Sequence, residues 1–387
     1  MKEIYKIYVV YFLVGLTNAA SVTFTLYFLS HGLTQAQIGL LFGIFMITMS
    51  VFNIPTGVIA DMFGHKLSIF IGLLFQALSF LLLFAYPSYN GFLLGFLASG
   101  IGLAFQTGAT SSLVYEILRK ENLHEGFQKI IGTANGYLLV AGIIATPLGS
   151  FIYKRNPGFP YFLAFLFFAI AAIVMLFVKW EFVKKTSSLS KYFNVMTTGI
   201  KLTIKNRVLV GIIIIGSVLT LGRLLLNQNI LQPYQLGIGI DVSFIGITAA
   251  IISAIQAYIS FNAYKFYKKF GRAFSLLVII FLPAICAMLL SMVNNLFSLA
   301  FIFLFYTGHG LRDSIFSQIT YEEVESDKRA TMASTIGFLT TITAGVLIPI
   351  WGKGIDLFGI PSILFALGIF TIIFGGIGFY VLESKSE

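Results

Sequence analysis

The sequence predicts an all-α membrane protein with twelve transmembrane helices arranged as two bundles of six. Three observations support this: the composition, the regular spacing of long apolar segments, and an internal repeat on either side of a polar linker. Of the 387 residues, 58% are hydrophobic and 10% are charged, whereas about 25% are charged in an ordinary soluble domain. A soluble core cannot bury that much apolar surface, so lipid must cover the rest. The composition therefore excludes an ordinary water-soluble protein.

Twelve apolar segments, each long enough to cross a bilayer, are separated by Gly, Pro or charged residues. In the first half they cover residues 7–30, 38–60, 67–86, 92–115, 130–153 and 160–180. In the second half they cover residues 208–236, 243–264, 273–291, 296–318, 331–352 and 360–382. We therefore expect six-helix bundles at residues 1–182 and 208–387, joined by a polar cytoplasmic linker at 183–207.

The positions of the basic residues predict the orientation in the membrane. If Lys2 and Lys6 are cytoplasmic, twelve alternating spans place 20 of the 25 Lys and Arg residues on that same side. Because Lys and Arg collect in cytoplasmic loops, we expect both termini in the cytoplasm and the chain in the inner (plasma) membrane of the cell. The net charge of +10 is then an orientation signal, and no nucleic-acid partner is expected. The single cysteine, Cys286, excludes an internal disulfide, and we expect no metal and no other cofactor.

The two halves of the chain repeat each other weakly. Phe63, Gly64 and Ser68 recur as Phe270, Gly271 and Ser275 at an offset of 207, and Tyr115-Glu116 recurs as Tyr321-Glu322 at an offset of 206. Parallel six-helix repeats are typical of transporters in which two bundles rock around a central site. The repeat therefore predicts two bundles related by a pseudo-two-fold axis.

A short motif lies in the loop after the second predicted span. It consists of Gly57, Asp61, Gly64, His65 and Lys66, so that Asp follows the first Gly by four positions and the second Gly follows Asp by three. Glycines at these places allow close helix approach and a tight turn. The motif resembles the signature of the major facilitator superfamily in the same loop, and together with the twelve spans the resemblance covers nearly the whole chain.

The resemblance implies the major facilitator fold and a gating role for Gly57, Asp61, Gly64 and Lys66. In that family the Asp closes the cytoplasmic side against the start of the eleventh helix, which here begins near Thr331 and Ser334. The alternative is that Asp61 is an interfacial acid that only forms a turn. Met62 stands where the family usually has Arg, which implies a thinner charge network.

Two narrower resemblances concern the fourth, fifth and eleventh spans. Residues 107–109, 115–116 and 329–331 resemble a branch of prokaryotic transporters related to drug exporters, although Ser111 stands about where that branch often has an acidic residue. In the fifth span, Pro147 among glycines partly resembles the Gly-Pro motif of proton-driven exporters. The alternative for that span is a glycine-rich packing face.

Charge inside a span is costly and points to function. Arg223 lies in the seventh span, and Arg312 and Asp313 lie in the tenth. His309 precedes Asp313 by four residues and shares its helix face, with Arg312 turned about 100° away. We predict that His309 and Asp313 couple transport to protons; the alternative is that Asp313 neutralises Arg223 or Arg312 and holds two helices together. Two Arg against one Asp leave a spare positive charge that suits an anionic group.

Polar residues within five spans predict a modestly polar central cavity. The side chains predicted to contact substrate are Asn18, Ser21, Thr25, Gln106, Arg223, Asn227, Gln232 and Gln256. Each taken singly is more often an interhelical hydrogen bond than a ligand. Pro233 should bend the seventh span directly after Gln232, and most of the 41 Phe are expected to face lipid.

The sequence contains no phosphate-binding Gly-rich loop, no His-Glu-x-x-His motif and no nucleophile motif, so we expect a transporter and no enzyme. The pattern favours a proton-coupled exporter, an antiporter of small amphipathic molecules or drugs that works by alternating access as a monomer. Its expected partners are a small-molecule substrate, protons and the lipid bilayer. The alternatives are an uptake or facilitative permease for a polar or anionic metabolite, and a membrane sensor or scaffold that does not transport.

Overall fold

The computed structural model describes residues 2–120, 124–180, 189–326 and 328–384, and within these ranges it is helical with no strand. The helices of the first half are α1 (Lys2–Leu16), α2 (Asn18–Ser21), α3 (Phe24–Ser30), α4 (Gln35–Phe63), α5 (His65–Ala85), α6 (Tyr89–Gln106), α7 (Ala109–Lys120), α8 (Phe127–Arg155) and α9 (Phe159–Leu176). The later helices are α10 (Leu189–Lys205), α11 (Arg207–Leu225), α12 (Leu231–Gly237), α13 (Val242–Met292), α14 (Ser298–Glu323) and α15 (Arg329–Glu383). A 3₁₀ turn, His124–Gly126, precedes α8, and a π-helical segment, Leu226–Ile230, separates α11 from α12.

Nine helical stretches of the described residues are long and apolar enough to cross a membrane. Two of them, α13 and α15, each contain two spans, because Gly271 (φ 75°) and Gly359 (φ 78°) turn the backbone in a conformation that favours glycine. Helix α14, which carries Arg312 and Asp313 in its interior, supplies the remaining span. The predicted all-helical fold with twelve spans is therefore confirmed.

The chain divides into two compact units. Unit 1 comprises Met1–Leu33, Ile44–Tyr192 and Val242–Ala250, and unit 2 comprises Thr34–Gly43, Phe193–Asp241 and Ile251–Glu387. These units differ from the predicted bundles in that residues 34–43 join unit 2 and residues 242–250 join unit 1. The predicted linker contains helix α10, and its residues 183–188 lie outside the described part of the chain.

Unit 1 has an aromatic core between α3, α6 and α9. The rings of Tyr27 and Tyr161 stack with their centroids 4.1 Å apart, and Phe28 lies 4.7 Å from Phe92. Phe28, Phe92 and Tyr161 are fully buried. The expectation that most phenylalanines face lipid therefore misses this core, because composition alone does not tell on which side of a helix an aromatic ring lies.

Unit 2 has an aliphatic core. Ile215 on α11, Ile279 on α13 and Ile315 on α14 are all fully buried in it. Helices α11 and α15 approach closely, since a Cβ atom on Gly211 would lie 2.7 Å from the carbonyl oxygen of Gly378. Small residues at such contacts are typical of helix packing in membranes. This core fixes the position of α14, which carries Arg312 and Asp313.

The internal repeat is visible in backbone conformation. Two pairs of glycines separated by 207 positions have positive φ: Gly32 (79°) with Gly239 (89°), and Gly64 (102°) with Gly271 (75°). Only the second pair belongs to the repeat read from the sequence. Positive φ favours glycine. Since the members of each pair are 207 positions apart, they mark equivalent turns in the two halves.

A hydrogen bond repeats at the same offset. In the first half the hydroxyl of Tyr27 donates to the carbonyl oxygen of Leu83 at 3.0 Å. In the second half the hydroxyl of Tyr234 donates to that of Leu290 at 3.1 Å. Both residues of the second bond lie 207 positions after those of the first. The two halves are therefore structural repeats of each other.

The seventh span is irregular near the predicted bend. The π-helical segment covers Leu226–Ile230 and ends before Pro233. Proline lacks an amide hydrogen and clashes with the carbonyl group four residues earlier, here that of Asn229. The helix therefore widens before the proline, and the irregularity lies N-terminal to the predicted bend.

Candidate functional site

An ion pair lies within the tenth span, on α14. The Arg312 guanidinium donates from Nε to Oδ1 of Asp313 at 2.8 Å, and its Nη2 lies at the same distance from that oxygen. Its Nη1 donates to the hydroxyl oxygen of Thr220 on α11 at 3.0 Å. The Arg312 side chain is 10% exposed, whereas that of Asp313 is 73% exposed. Arg312 thus links α14 to α11 and holds a carboxylate that remains open.

His309 lies in a different environment from Asp313. Its Nε2 is 3.0 Å from the carbonyl oxygen of Leu219, and its Nδ1 is 3.1 Å from that of Phe305. The imidazole also stacks on the Phe305 ring and is 5% exposed. Helical side chains lean toward the N-terminus of their helix, which takes this ring toward Phe305. The structure therefore pairs Asp313 with Arg312, where the shared helix face had suggested His309.

Arg223 on α11 lies within electrostatic range of Arg312, Asp313 and Tyr306. Among the described residues it has neither a hydrogen-bond partner nor an ion-pair partner, and its side chain is half-buried. Asn227, one turn further on, is exposed, and its Oδ1 accepts a long hydrogen bond from the Tyr306 hydroxyl at 3.5 Å. We call Arg223, Arg312 and Asp313 the unit 2 charge cluster; its formal charges sum to one positive charge.

The other predicted substrate ligands of unit 2 are less open. Gln232 is 4% exposed. Gln256 is half-buried, and its backbone carbonyl oxygen would lie 3.3 Å from a Cβ atom on Gly310. Gln256 thus lies where α13 and α14 pack closely. Of the predicted polar ligands in this unit, Arg223 and Asn227 both lie near Tyr306.

The predicted ligands of the first span do not form one helix face. The span is divided into α1, α2 and α3, with breaks at Thr17 and after Ser21. The Ser21 hydroxyl donates to the backbone oxygen of Asn18 at 3.1 Å, and Thr25 is fully buried. Single-sequence periodicity assumes a continuous helix, so the predicted alignment of Asn18, Ser21 and Thr25 fails where the helix breaks.

Gln106 is the last residue of α6, directly before the turn at Gly108 (φ 76°). Its side-chain amide donates to the carbonyl oxygen of Gly102 at 3.3 Å, within its own helix. The fourth span is therefore also broken, and Gln106 lies at the break.

The loop motif forms a compact cluster in unit 1. Gly64 has φ of 102° between α4 and α5, as its predicted role in a tight turn requires. The next residue, His65, is 6% exposed; its Nδ1 lies 3.1 Å from Oε1 of Glu116 and its Nε2 lies 3.9 Å from Oδ1 of Asp61. Trp180 donates from its indole nitrogen to Oε2 of Glu116 at 2.9 Å. We call these four side chains, His65, Asp61, Glu116 and Trp180, the His65 cluster.

Sequence reasoning named Asp61 in this cluster but gave no role to His65. The internal repeat offered a signal, because Arg272 lies 207 positions after His65. Arg272 contacts two acids: its Nη1 donates to Oε1 of Glu323 at 2.7 Å, and its Nε lies 3.1 Å from Oε1 of Glu383. The two remaining motif residues lie outside the contacts of the His65 cluster. Lys66 donates to the carbonyl oxygen of Leu176 at 2.8 Å, and Gly57 is half-buried in α4.

Comparison with known proteins identifies the family. The sequence profile described as Major Facilitator Superfamily matches residues 7–345. The chain belongs to the Major Facilitator Superfamily. It is also 25% identical over 371 residues to an uncharacterized MFS-type transporter of Methanocaldococcus jannaschii, covering 91% of this chain and 90% of that protein. The predicted superfamily membership is confirmed, and the chain is a multi-pass membrane transporter of this superfamily.

Solved structures of other transporters share the fold. The crystal structure of the nucleoside transporter NupG matches with a TM-score of 0.84 at 13% identity, covering 100% of both chains. A bacterial homolog of the human lysosomal transporter Spinster, in an inward-facing and unoccupied conformation, matches with a TM-score of 0.74 at 17% identity, covering 98% of this chain and 96% of that one. At such low identity these matches establish the major facilitator fold alone.

Proposed function

We propose that this major facilitator transporter is a proton-coupled antiporter that exports small amphipathic molecules by alternating access. The observation that carries the proposal is the Asp313 carboxylate, which is 73% exposed inside the tenth span and held by Arg312. An ionisable residue within a membrane span points to function, because its charge is costly there. His309, whose two ring nitrogens each lie within 3.1 Å of a backbone carbonyl oxygen, is a positioning residue in this proposal.

The chemistry follows from the partners of Arg312. When Asp313 is ionised, the guanidinium is shared between its carboxylate and the Thr220 hydroxyl. A proton on Asp313 removes the negative charge and weakens this pair. The open side of the ionised carboxylate accepts a hydrogen bond from a donor group of the solute, and a proton on Asp313 withdraws that acceptor. Proton and solute in this way compete for one carboxylate, as an antiporter requires.

The experiment uses the purified protein in liposomes that contain a pH-sensitive dye. A thermal-shift screen over drugs, sugars, amino acids and organic anions first selects a compound that stabilises the protein by mass action. Addition of this compound should drive proton movement in the wild type, and Asp313→Asn should abolish it. Glu325→Gln, which removes a carboxylate that is 75% exposed outside the charge cluster, should leave proton movement unchanged. Full proton flux in Asp313→Asn would overturn the proposal.

A second candidate is an uptake or facilitative permease for a polar or anionic metabolite. It is favoured by the extra positive charge of Arg223 in the unit 2 charge cluster. Proteins of the same fold include those described as a nucleoside transporter and a D-xylose-proton symporter. Expression that raises drug tolerance supports export, and expression that improves growth on a scarce nutrient supports uptake. A protein that neither transports nor changes conformation would be a sensor or scaffold.

We further propose that the chain works as a monomer in the inner (plasma) membrane with both termini in the cytoplasm. The excess of Lys and Arg on one side of the twelve spans supports this orientation. In this orientation the Asp61 motif lies on the cytoplasmic side, and we propose that Asp61 acts there as a gate against the start of the eleventh span. Fusions of a periplasmic-active and a cytoplasm-active reporter to the C-terminus test the orientation.

A further inference from the structure

Two of the three charges in the unit 2 charge cluster satisfy each other. Arg312 bonds to Asp313 and to Thr220, and its side chain is 10% exposed. Arg223 has no hydrogen bond and no ion pair within the part of the chain that the structure describes, although Asp313 and Arg312 lie within its electrostatic range. One positive charge in this span is therefore not compensated by a contact.

An uncompensated charge inside a membrane span is costly and rare. The scaffold does not require this charge. The repeat offset of 207, which relates the Tyr27–Leu83 hydrogen bond to that of Tyr234–Leu290, places the apolar Leu16 opposite Arg223 in the first half. The same helix position is thus filled by leucine in one half and by arginine in the other, which points to a role specific to unit 2.

The surroundings of Arg223 suit an anion. Asn227 lies four residues later, in the π-helical segment that follows α11, and it is exposed. Its Oδ1 faces the hydroxyl of Tyr306, which leaves the amide nitrogen as a further donor. A guanidinium offers a planar fork of donors that matches the geometry of a carboxylate or phosphate. Arg223 and Asn227 together therefore present donors of hydrogen bonds and a net positive charge.

We propose that Arg223, assisted by the amide of Asn227, binds the anionic group of the transported solute, so that the solute is a small amphipathic acid carrying a carboxylate or phosphate. This inference rests on the proposed function as a solute transporter and names the class of its substrate. The apolar part of the solute lies against the hydrocarbon side chains of the span, and its charge completes the ion pair that Arg223 lacks.

The test measures thermal unfolding of the full-length protein in phosphatidylcholine nanodiscs at constant ionic strength. The probes are benzoate and phenylphosphonate, with benzamide as the neutral counterpart of the same size. In the wild type at least one anion should raise the unfolding temperature in a saturable way, and benzamide should not. Arg223→Gln should weaken the apparent affinity for that anion at least tenfold. Arg207→Gln, which removes an exposed arginine from the start of the same helix, should keep the wild-type response.

Arg223→Lys is the control for a folding defect in Arg223→Gln. Lysine keeps the charge but loses the bidentate fork, so it should bind the anion more weakly than the wild type and more tightly than Arg223→Gln. A wild type that responds equally to benzamide and to both anions would overturn the proposal, as would an undiminished anion response in both Arg223 variants. Binding is measured here without transport, so a failure of proton coupling in liposomes leaves this result intact and counts against the proposed function alone.

Discussion

At the scale of single residues, the two halves of the repeat differ in one basic residue, which is His65 in the first half and Arg272 in the second. His65 follows a glycine with positive φ and contacts Glu116, and Arg272 follows its own such glycine and contacts Glu323. A basic side chain therefore lies at the same place in both halves and holds the acid at the end of a neighbouring span. The imidazole and the guanidinium serve the same packing role.

This equivalence predicts the effect of replacing His65. His65→Ala removes one neighbour of the Glu116 carboxylate, which is 27% exposed and keeps the Trp180 indole as a donor, so we expect it to lower the free energy of unfolding by up to about 1 kcal/mol. His65→Arg should recover at least half of this loss, because a guanidinium contacts the acid in the other half. Thermal unfolding of the purified protein measures both changes. Equal stability of His65→Ala and the wild type would contradict the role of this contact.

The same residues show what a sequence can and cannot tell about a site. The motif identified Asp61 because its spacing from two glycines is local in the chain. The partner of His65 is 51 positions away, and only the packing of α5 against α7 brings the two together. Asp313 and Arg223 were recognised as charges inside spans, but the choice of Arg312 as the partner of Asp313 depends on side-chain directions that periodicity does not define.

At the scale of helices, the contacts of the fifth span favour the interpretation that its glycines form a packing face. A Cβ atom on Gly142 would lie 2.7 Å from the side-chain nitrogen of Asn18, and one on Gly149 would overlap the carbonyl group of Ala19. Helix α8 thus packs backbone to backbone against the broken first span. By contrast, a Cβ atom on Gly136 of the same helix would meet nothing within 4 Å.

Gly149, which is in close contact, and Gly136, which is not, can be compared by substitution. Gly149→Val should force α8 away from the first span and destabilise the protein by about 1 to 3 kcal/mol, the usual range for overpacking. Gly136→Ala should be neutral or stabilising by up to about 1 kcal/mol, because alanine is the better helix former. The unfolding temperature and the yield of monodisperse protein report both effects. A Gly149→Val protein as stable as Gly136→Ala would show that this contact is loose.

At the scale of the whole molecule, hydropathy predicts the number of spans. The few residues that recur at an offset of 206 or 207 predict that the two halves share a fold. The division into compact units does not follow from them. Residues 34–43 belong to unit 2, although the rest of α4 belongs to unit 1. This assignment depends on contacts between distant parts of the chain, among them those of Gln35, which apolar patterning does not reveal.

The contacts of Gln35 within unit 2 are polar and specific. The Asp356 carboxylate accepts hydrogen bonds from the backbone amides of Gln35 at 2.8 Å and Ala36 at 2.9 Å, at the start of α4. Asn229 in the π-helical segment donates to the backbone and side-chain oxygens of Gln35, both at 2.9 Å. If residues 1–182 and 208–387 move as bundles during alternating access, residues 34–43 must leave these contacts in one of the two states.

Asp356 therefore should control how often this segment separates from unit 2. Replacing a capping Asp by Ala costs about 0.5 to 2 kcal/mol, which corresponds to an increase of up to about thirtyfold in the separated population. The increase can be followed in a Cys286→Ala background through the labelling rate of Ile38→Cys, because Ile38 belongs to this segment and is fully buried. We expect the fastest labelling in Asp356→Ala, an intermediate rate in Asp356→Asn, and the parental rate in Glu325→Gln. An unchanged rate in Asp356→Ala would mean that other contacts hold the segment, because the buried cysteine reacts only when residues 34–43 move away.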